Sequence, residues 1–192
     1  MKLLRNHCVP VAMVALALIT ATSLASAQSL NSGPQTIALN ATLSESLTLS
    51  LSANAVNFTL TPGSATNAGS TNITATTSWT LRPGRTAVGV YAYFTSAAAA
   101  MTDGGTPANN IPSSAFKIAD NGGASTALTN SVAFGAANAG LQLANVTITG
   151  ANRSSSRTDA MAFNIDLSGG TLPQLPAGTY TGTLNIQAQA TP

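Results

Sequence analysis

Only His7 and Cys8 offer an imidazole and a thiol in this chain of 192 residues, and both lie in a stretch that reads as a leader. Lys2 and Arg5 give a basic start, residues 11–19 are an apolar run, and Ala25-Ser26-Ala27 supplies small residues for cleavage. This pattern predicts a signal peptide over residues 1–27, cut before Gln28. Cys8 precedes the apolar run rather than closing it, so a lipid anchor is not expected. Without the leader no His or Cys is left for nucleophilic or general-base work. Ser114 and Lys117 match the letters S-x-x-K, but that chemistry needs one helical turn to bring the two together, and here they run into a strand pattern. Asp159 and Asp166, seven residues apart, lack the opposed geometry of a general acid–base pair. The turns Asp103-Gly104-Gly105 and Asp120-Asn121-Gly122-Gly123 lack the alternating acidic ligands of a calcium loop. No catalytic residue, cofactor site or metal ligand is expected, and the chain does not read as an enzyme.

The charges left after cleavage balance. Arg82, Arg85, Lys117, Arg153 and Arg157 face Glu45, Asp103, Asp120, Asp159 and Asp166. A balanced chain has no basic patch for nucleic acid, and near-zero net charge favours association. The apolar run of the leader is shorter than the roughly 20 residues of a spanning helix, so no stable membrane span is expected. Arg82 and Arg85 flank a turn and could hold an anion. Five N-x-S/T triplets begin at Asn40, Asn57, Asn72, Asn145 and Asn152, a number that a chain rich in Asn and Thr produces by chance.

The elements that must carry any function are strands. Residues 28–192 make 192 − 27 = 165 residues, enough for one core without a disulfide. Ile37, Leu39, Ala41, Leu43, Leu47, Leu49 and Leu51 all fall on odd positions. One strand of that length would be about three times an ordinary one, so the pattern predicts two strands, over 36–43 and 46–52. Glu45 lies between them, as a corner or as a hinge that frees residues 28–44 as an arm. Val56, Phe58 and Leu60 predict a further strand. Alternation from Ile73 to Leu81, with Trp79 as core anchor, and from Val88 to Phe94 predicts a hairpin around a type II turn at Arg82-Pro83-Gly84-Arg85. Residues 95–114 read as a long loop with one helical turn near 96–101. Phe116 and Ile118 make a short strand, and Val132 with Phe134 a weaker one. The parity slip between Leu143 and Val146 predicts a bulge near Ala144. Residues 150–159 read as a polar loop, followed by strands at 161–167 and from 181 onward. About eight to nine short strands between turns predict an all-β, antiparallel two-sheet, immunoglobulin-like sandwich in a single domain. Tyr91 and Tyr93 fall on the face opposite Val88, Val90, Ala92 and Phe94, where they could touch a ligand or another subunit.

The ending Ala-Gly-Thr-Tyr-Thr-Gly-Thr-Leu, residues 177–184, followed by alternation to Ala190, resembles the terminal strand of secreted bacterial pilin-like sandwiches of the spore coat protein U and chaperone–usher fimbrial type. The leader, the alternating N-terminal arm and the neutral β body are similar in style. The resemblance implies a non-enzymatic pilus, fimbria-like or surface-fibre subunit, exported to the periplasm, cell surface or exterior. Such a subunit self-associates or meets a periplasmic chaperone, and its arm adds a strand to a neighbour. Ile37, Leu39, Ala41 and Leu43 would then be the donor residues. The alternative is a self-complete extracellular binding module for adhesion or surface carbohydrate, using Tyr91 and Tyr93. The two readings part on whether residues 28–44 pack within their own sandwich.

Overall fold

A computed structural model describes residues 30–192. The leader expected at 1–27, with His7 and Cys8, lies outside the described residues. Contacts divide the chain between Ala41 and Thr42.

The second unit is an antiparallel two-sheet sandwich. Its strands are β1 (Ser46–Leu51), β2 (Asn67–Ala68), β3 (Ile73–Thr80), β4 (Ala87–Tyr93), β5 (Met101–Thr102), β6 (Asn110–Ile111), β7 (Phe116–Asp120), β8 (Thr126–Ala127), β9 (Gly140–Thr147), β10 (Ser154–Ile165) and β11 (Asn185–Thr191). One sheet runs β1-β3-β10-β7-β8, with β2 also on β10. The other runs β11-β4-β9, and β5 pairs with β6 as a small hairpin.

Side-chain alternation explains the layers. On β3, Ile73, Ala75, Thr77 and Trp79 are buried, and the residues between them face outward. The outer face of the larger sheet is a field of hydroxyls: Thr48, Ser78 and Ser156 stand side by side in the ladder, as do Ser50, Thr76 and Thr158. The expected bulge is present. Val90 pairs with Ala144 and Tyr91 with Gln142, which leaves Leu143 as the extra residue of β9. Gly84, with φ +100°, takes the third position of the β3–β4 turn, where a side chain would be strained.

Five expectations change. Residues 36–43 form no strand; 30–45 carry no regular secondary structure. Residues 56–60 contribute only a single bridge, Phe58 to Gly69, because their neighbours on either side are turns. The 95–114 segment is not one loop, since it contains the β5–β6 hairpin, and no helical turn forms at 96–101. Val132 and Phe134 lie in a loop rather than a strand. The polar stretch 154–159 is the first half of β10, paired with β3 from Thr80 to Ala75. Apolar alternation missed it because its outward residues are hydroxyls and its inward ones are Arg157 and Asp159.

Two apolar clusters fill the interior. The larger holds Phe94, Phe116, Ile118 and Phe163, with Phe116 edge-on to Phe94 at 5.3 Å and to Phe58 at 5.7 Å. The smaller holds Trp79, Leu81, Val88 and Ile148, with Leu47 and Ala190 against it. The Trp79 indole N–H donates to the Asn152 carbonyl at 2.8 Å, so the ring is buried without an orphaned donor. Along β3, Thr77 separates the clusters, and Arg157 is its ladder partner on β10.

Candidate functional site

A groove borders the larger cluster on one side, with the cluster residues at its floor, Phe94, Phe116, Met161 and Phe163, themselves buried. The apolar groove runs between residues 53–60 and residues 177–186. Its upper part, about 290 Å³, reaches down to Phe94, Phe116, Met161 and Phe163, with Leu51 and Ile186 at its near end. Its lower part, about 600 Å³, continues past Leu60, Leu167, Leu175 and Tyr180. Val56, Phe58 and Met101 line both parts, so the two adjoin. Ala177 and Gly178 bend, and the eight residues after them, 179–186, correspond to roughly 26 Å of wall if fully extended.

The C-terminal wall has an unpaired edge. Thr181 exchanges both backbone hydrogen bonds with Thr102, at 2.9 Å each. In an antiparallel pair the neighbouring residues turn their N–H and C=O the other way. Among the described residues no hydrogen bond reaches the backbone of Tyr180 or Gly182. Gly182 has a definite reason to be glycine: a Cβ there would overlap the Ala100 carbonyl oxygen and crowd Met101. Tyr180 donates its hydroxyl to the Pro176 carbonyl at 2.9 Å. Burial, and secondarily the Asp103 carboxylate, raises that phenol above its ordinary pKa.

The arm residues singled out in the sequence present their apolar side chains to solvent. Ile37 is 84% exposed, Leu39 89% and Leu43 86%, and Ala41 is exposed as well. Large apolar side chains at such exposure forgo about 1.5–3 kcal/mol each relative to burial.

Glu45, where the arm pattern ends, is clamped. Arg85 donates to its carboxylate from Nε at 2.8 Å and from Nη2 at 3.3 Å, and the Arg82 backbone N–H donates at 3.4 Å. The Arg85 hydrogen bond, then the weaker Arg82 contacts, outweighs desolvation and holds Glu45 below the usual carboxylate range. Arg85 also donates to the Ala190 carbonyl at 3.3 Å. The anion that Arg82 and Arg85 hold is therefore the chain's own.

Tyr91 and Tyr93 do share the outer face of β4, but each is half-buried. The 131–139 loop lays Phe134 against both rings, at 5.8 Å from each. Gly89 and Gly135 leave the space the two tyrosine rings occupy. Tyr93 donates to Gln187 Oε1 at 2.8 Å.

The other residues with chemical potential are spoken for by the protein itself. Lys117, of the Ser114–Lys117 pattern, pairs with Asp166 at 2.8 Å. Hydrogen bonds from Lys117 and Ser168 hold Asp166 far below the usual carboxylate range. Asp159 is fully buried in an ion pair with Arg157. Asp103 accepts from Asn109 and Gly105 in a turn, and these bonds lower its pKa, the Asn109 side chain foremost. Among the described residues no group of three or more His, Cys, Asp or Glu could hold a metal ion, and no helix is long and apolar enough to cross a membrane.

No protein-family model matches the chain, and no curated protein sequence matches it significantly.

Proposed function

We propose that this protein is a secreted, non-enzymatic structural subunit of a pilus-like or other surface fibre, which assembles by β-strand exchange. The observation that carries the reading is the open apolar groove, whose unpaired backbone edge is matched in length and pattern by an exposed alternating arm. Residues 36–44 span roughly 30 Å when extended, comparable with the roughly 26 Å of wall over 179–186. Main-chain bonds to the free edge would supply affinity, and Ile37, Leu39, Ala41 and Leu43 would supply side chains to the groove floor.

Chain reach argues that the groove is filled by another copy. The arm joins the domain at Glu45, at the start of β1, whereas the groove begins beyond Leu51 at its other end. Six residues of strand separate the two, about 20 Å. An arm doubling back would spend about six residues on that distance, which consumes Leu39, Ala41 and Leu43 before the groove is reached. Export, self-association and transient covering of the groove by a periplasmic chaperone belong to this proposal.

A second reading, a binding module for surface carbohydrate, draws on the uncharged face where Tyr91 and Tyr93 adjoin Gln142 and Gln187. One experiment separates the two. Residues 28–192 are produced in a bacterial periplasm, as wild type and as Leu39→Asp, and sized by light scattering with and without a peptide of residues 36–44. Strand exchange predicts higher assemblies for the wild type, monomers for Leu39→Asp, and suppression of assembly by the peptide. A wild type that stays monomeric and binds no peptide overturns it, and glycan binding at the tyrosine face is then the reading to pursue.

A further inference from the structure

We infer that Asn121–Gly122 is a site of spontaneous covalent modification, at which deamidation converts a structural amide into a third carboxylate beside Asp120 and the buried Asp159. The inference is independent of the assembly reading.

Asn121 is the sole asparagine in the chain followed by glycine. Both residues have positive φ, +51° and +74°, in a two-residue turn closed by the Gly123 N–H to the Asp120 carbonyl at 2.8 Å. Asn-Gly is the preferred pair for such a turn. A Cβ at Gly122 would meet nothing within 4 Å, and among the described residues no hydrogen bond engages its N–H. The attacking nitrogen thus has no hydrogen-bond partner among the described residues, and no neighbour crowds the Cα beside it.

The reaction is internal. The Gly122 nitrogen bonds to Asn121 Cγ, the Cγ–Nδ2 bond breaks, and ammonia leaves with the proton lost by that nitrogen. Water then opens the succinimide at either carbonyl, giving Asp or isoAsp at 121. No oxidant, metal or enzyme is needed.

The native bonds of the amide make this matter. The Asn121 N–H donates to the Ala160 carbonyl at 2.7 Å, and Asn121 Oδ1 accepts from the Ala160 N–H at 2.9 Å. Asn121 therefore extends the β7–β10 ladder with its own side chain. Its Nδ2 donates to Asp120 Oδ2 and to Asp159 Oδ1, at 3.1 Å each. The charged groups at this point are Asp120 from β7 and Arg157 and Asp159 from β10. Among the described residues Arg157 is the one cation paired with both carboxylates, bonded to Asp159 and 4.0 Å from Asp120. Asp120 Oδ1 is buried with no partner. Deamidation removes the donor that lies between two carboxylates and adds a negative charge in its place. The same bonds fix the amide in place, so reaction proceeds through openings of the turn.

The test uses the full secreted chain held folded at mildly alkaline pH and 37 °C, with peptide mapping by mass spectrometry over weeks. The expected result is that the peptide containing Asn121 is the first to gain the mass of an amide-to-acid exchange, mainly as isoAsp. Another asparagine converting first, or Asn121 persisting while others convert, overturns the site. Asn121→Asp separately tests the consequence. Its urea midpoint should fall at neutral pH and recover part of the loss as pH drops through the carboxylate range. A midpoint equal to wild type at neutral pH, or a loss that does not change with pH, overturns the electrostatic argument.

Discussion

Gly182 is the residue on which the C-terminal groove wall turns. Any side chain there drives into a backbone oxygen, which cannot give way as a flexible side chain would. Gly182→Ala should lower stability by about 1–3 kcal/mol, read from urea unfolding. Two carboxylates should respond to pH in opposite directions. The Arg85 bond lowers the Glu45 pKa, so the stabilisation from Glu45 is present above the unfolded-state value and is lost as pH falls. Burial, then the Asp159 charge, raises the Asp120 pKa, so its ionised form is a cost at neutral pH that disappears as pH falls through the folded value. Glu45→Gln should therefore be less stable than wild type at neutral pH, and Asp120→Asn more stable. Both differences should shrink in acid, as followed by thermal melts across the carboxylate range. None of this was readable beforehand. Glu45 looked like a corner or a hinge, and its partners lie in the β3–β4 turn, nearly forty residues along the chain. Asp159 has the letter of a catalytic acid, yet its neighbour two residues back is the cation that neutralises it.

At the scale of elements, alternation was informative wherever both faces obeyed it. β3, β4, β7, β9 with its bulge, and the second half of β10 stood out because one parity carries the large apolar side chains and the other is small or polar: Ser and Thr on β3, Gly and Tyr on β4, Lys and Ala on β7, Gln, Asn and Thr on β9, Ala and Asn on β10. The first half of β10 did not, because a buried ion pair replaces its apolar parity. The 36–43 and 56–60 patterns look like core strands in letters, yet one has no ladder and the other a single bridge. Alternation reports that a segment can bury one face; it does not say against what, or in which molecule. The groove itself was not legible, since it exists only where 53–60 and 177–186 come together. The division of the interior into two clusters gives an element-level prediction. Trp79→Ala should cost about 3–5 kcal/mol whether or not the arm peptide is bound. Ile186→Ala, at the near end of the groove, should instead weaken the gain in melting temperature that the 36–44 peptide confers.

For the molecule as a whole, net charge does little. The five cations and five anions of residues 28–192 are mostly paired with one another, and neither the segment 36–44 nor the groove contributes a charged side chain. Screening acts on exposed charges and has little to act on here. Assembly, followed by light scattering, should change little between low and high ionic strength. A strong loss at high salt would point to a different interface.

The clamp at Glu45 also sets how the molecule would carry tension. A pull on the arm directed along β1 would enter at that strand's first residue, while the groove proposed to hold the neighbour lies towards the strand's other end. β1 is bonded along its length to β3, from Ser46 opposite Thr80 to Leu51 opposite Ala75. Force in that direction loads the whole ladder in shear, so its bonds must fail together rather than one by one. The Arg85–Glu45 pair and the bond from Arg85 to Ala190 tie the point of loading to the C-terminal strand of the opposite sheet. The sandwich is thus braced where its own chain would pull hardest.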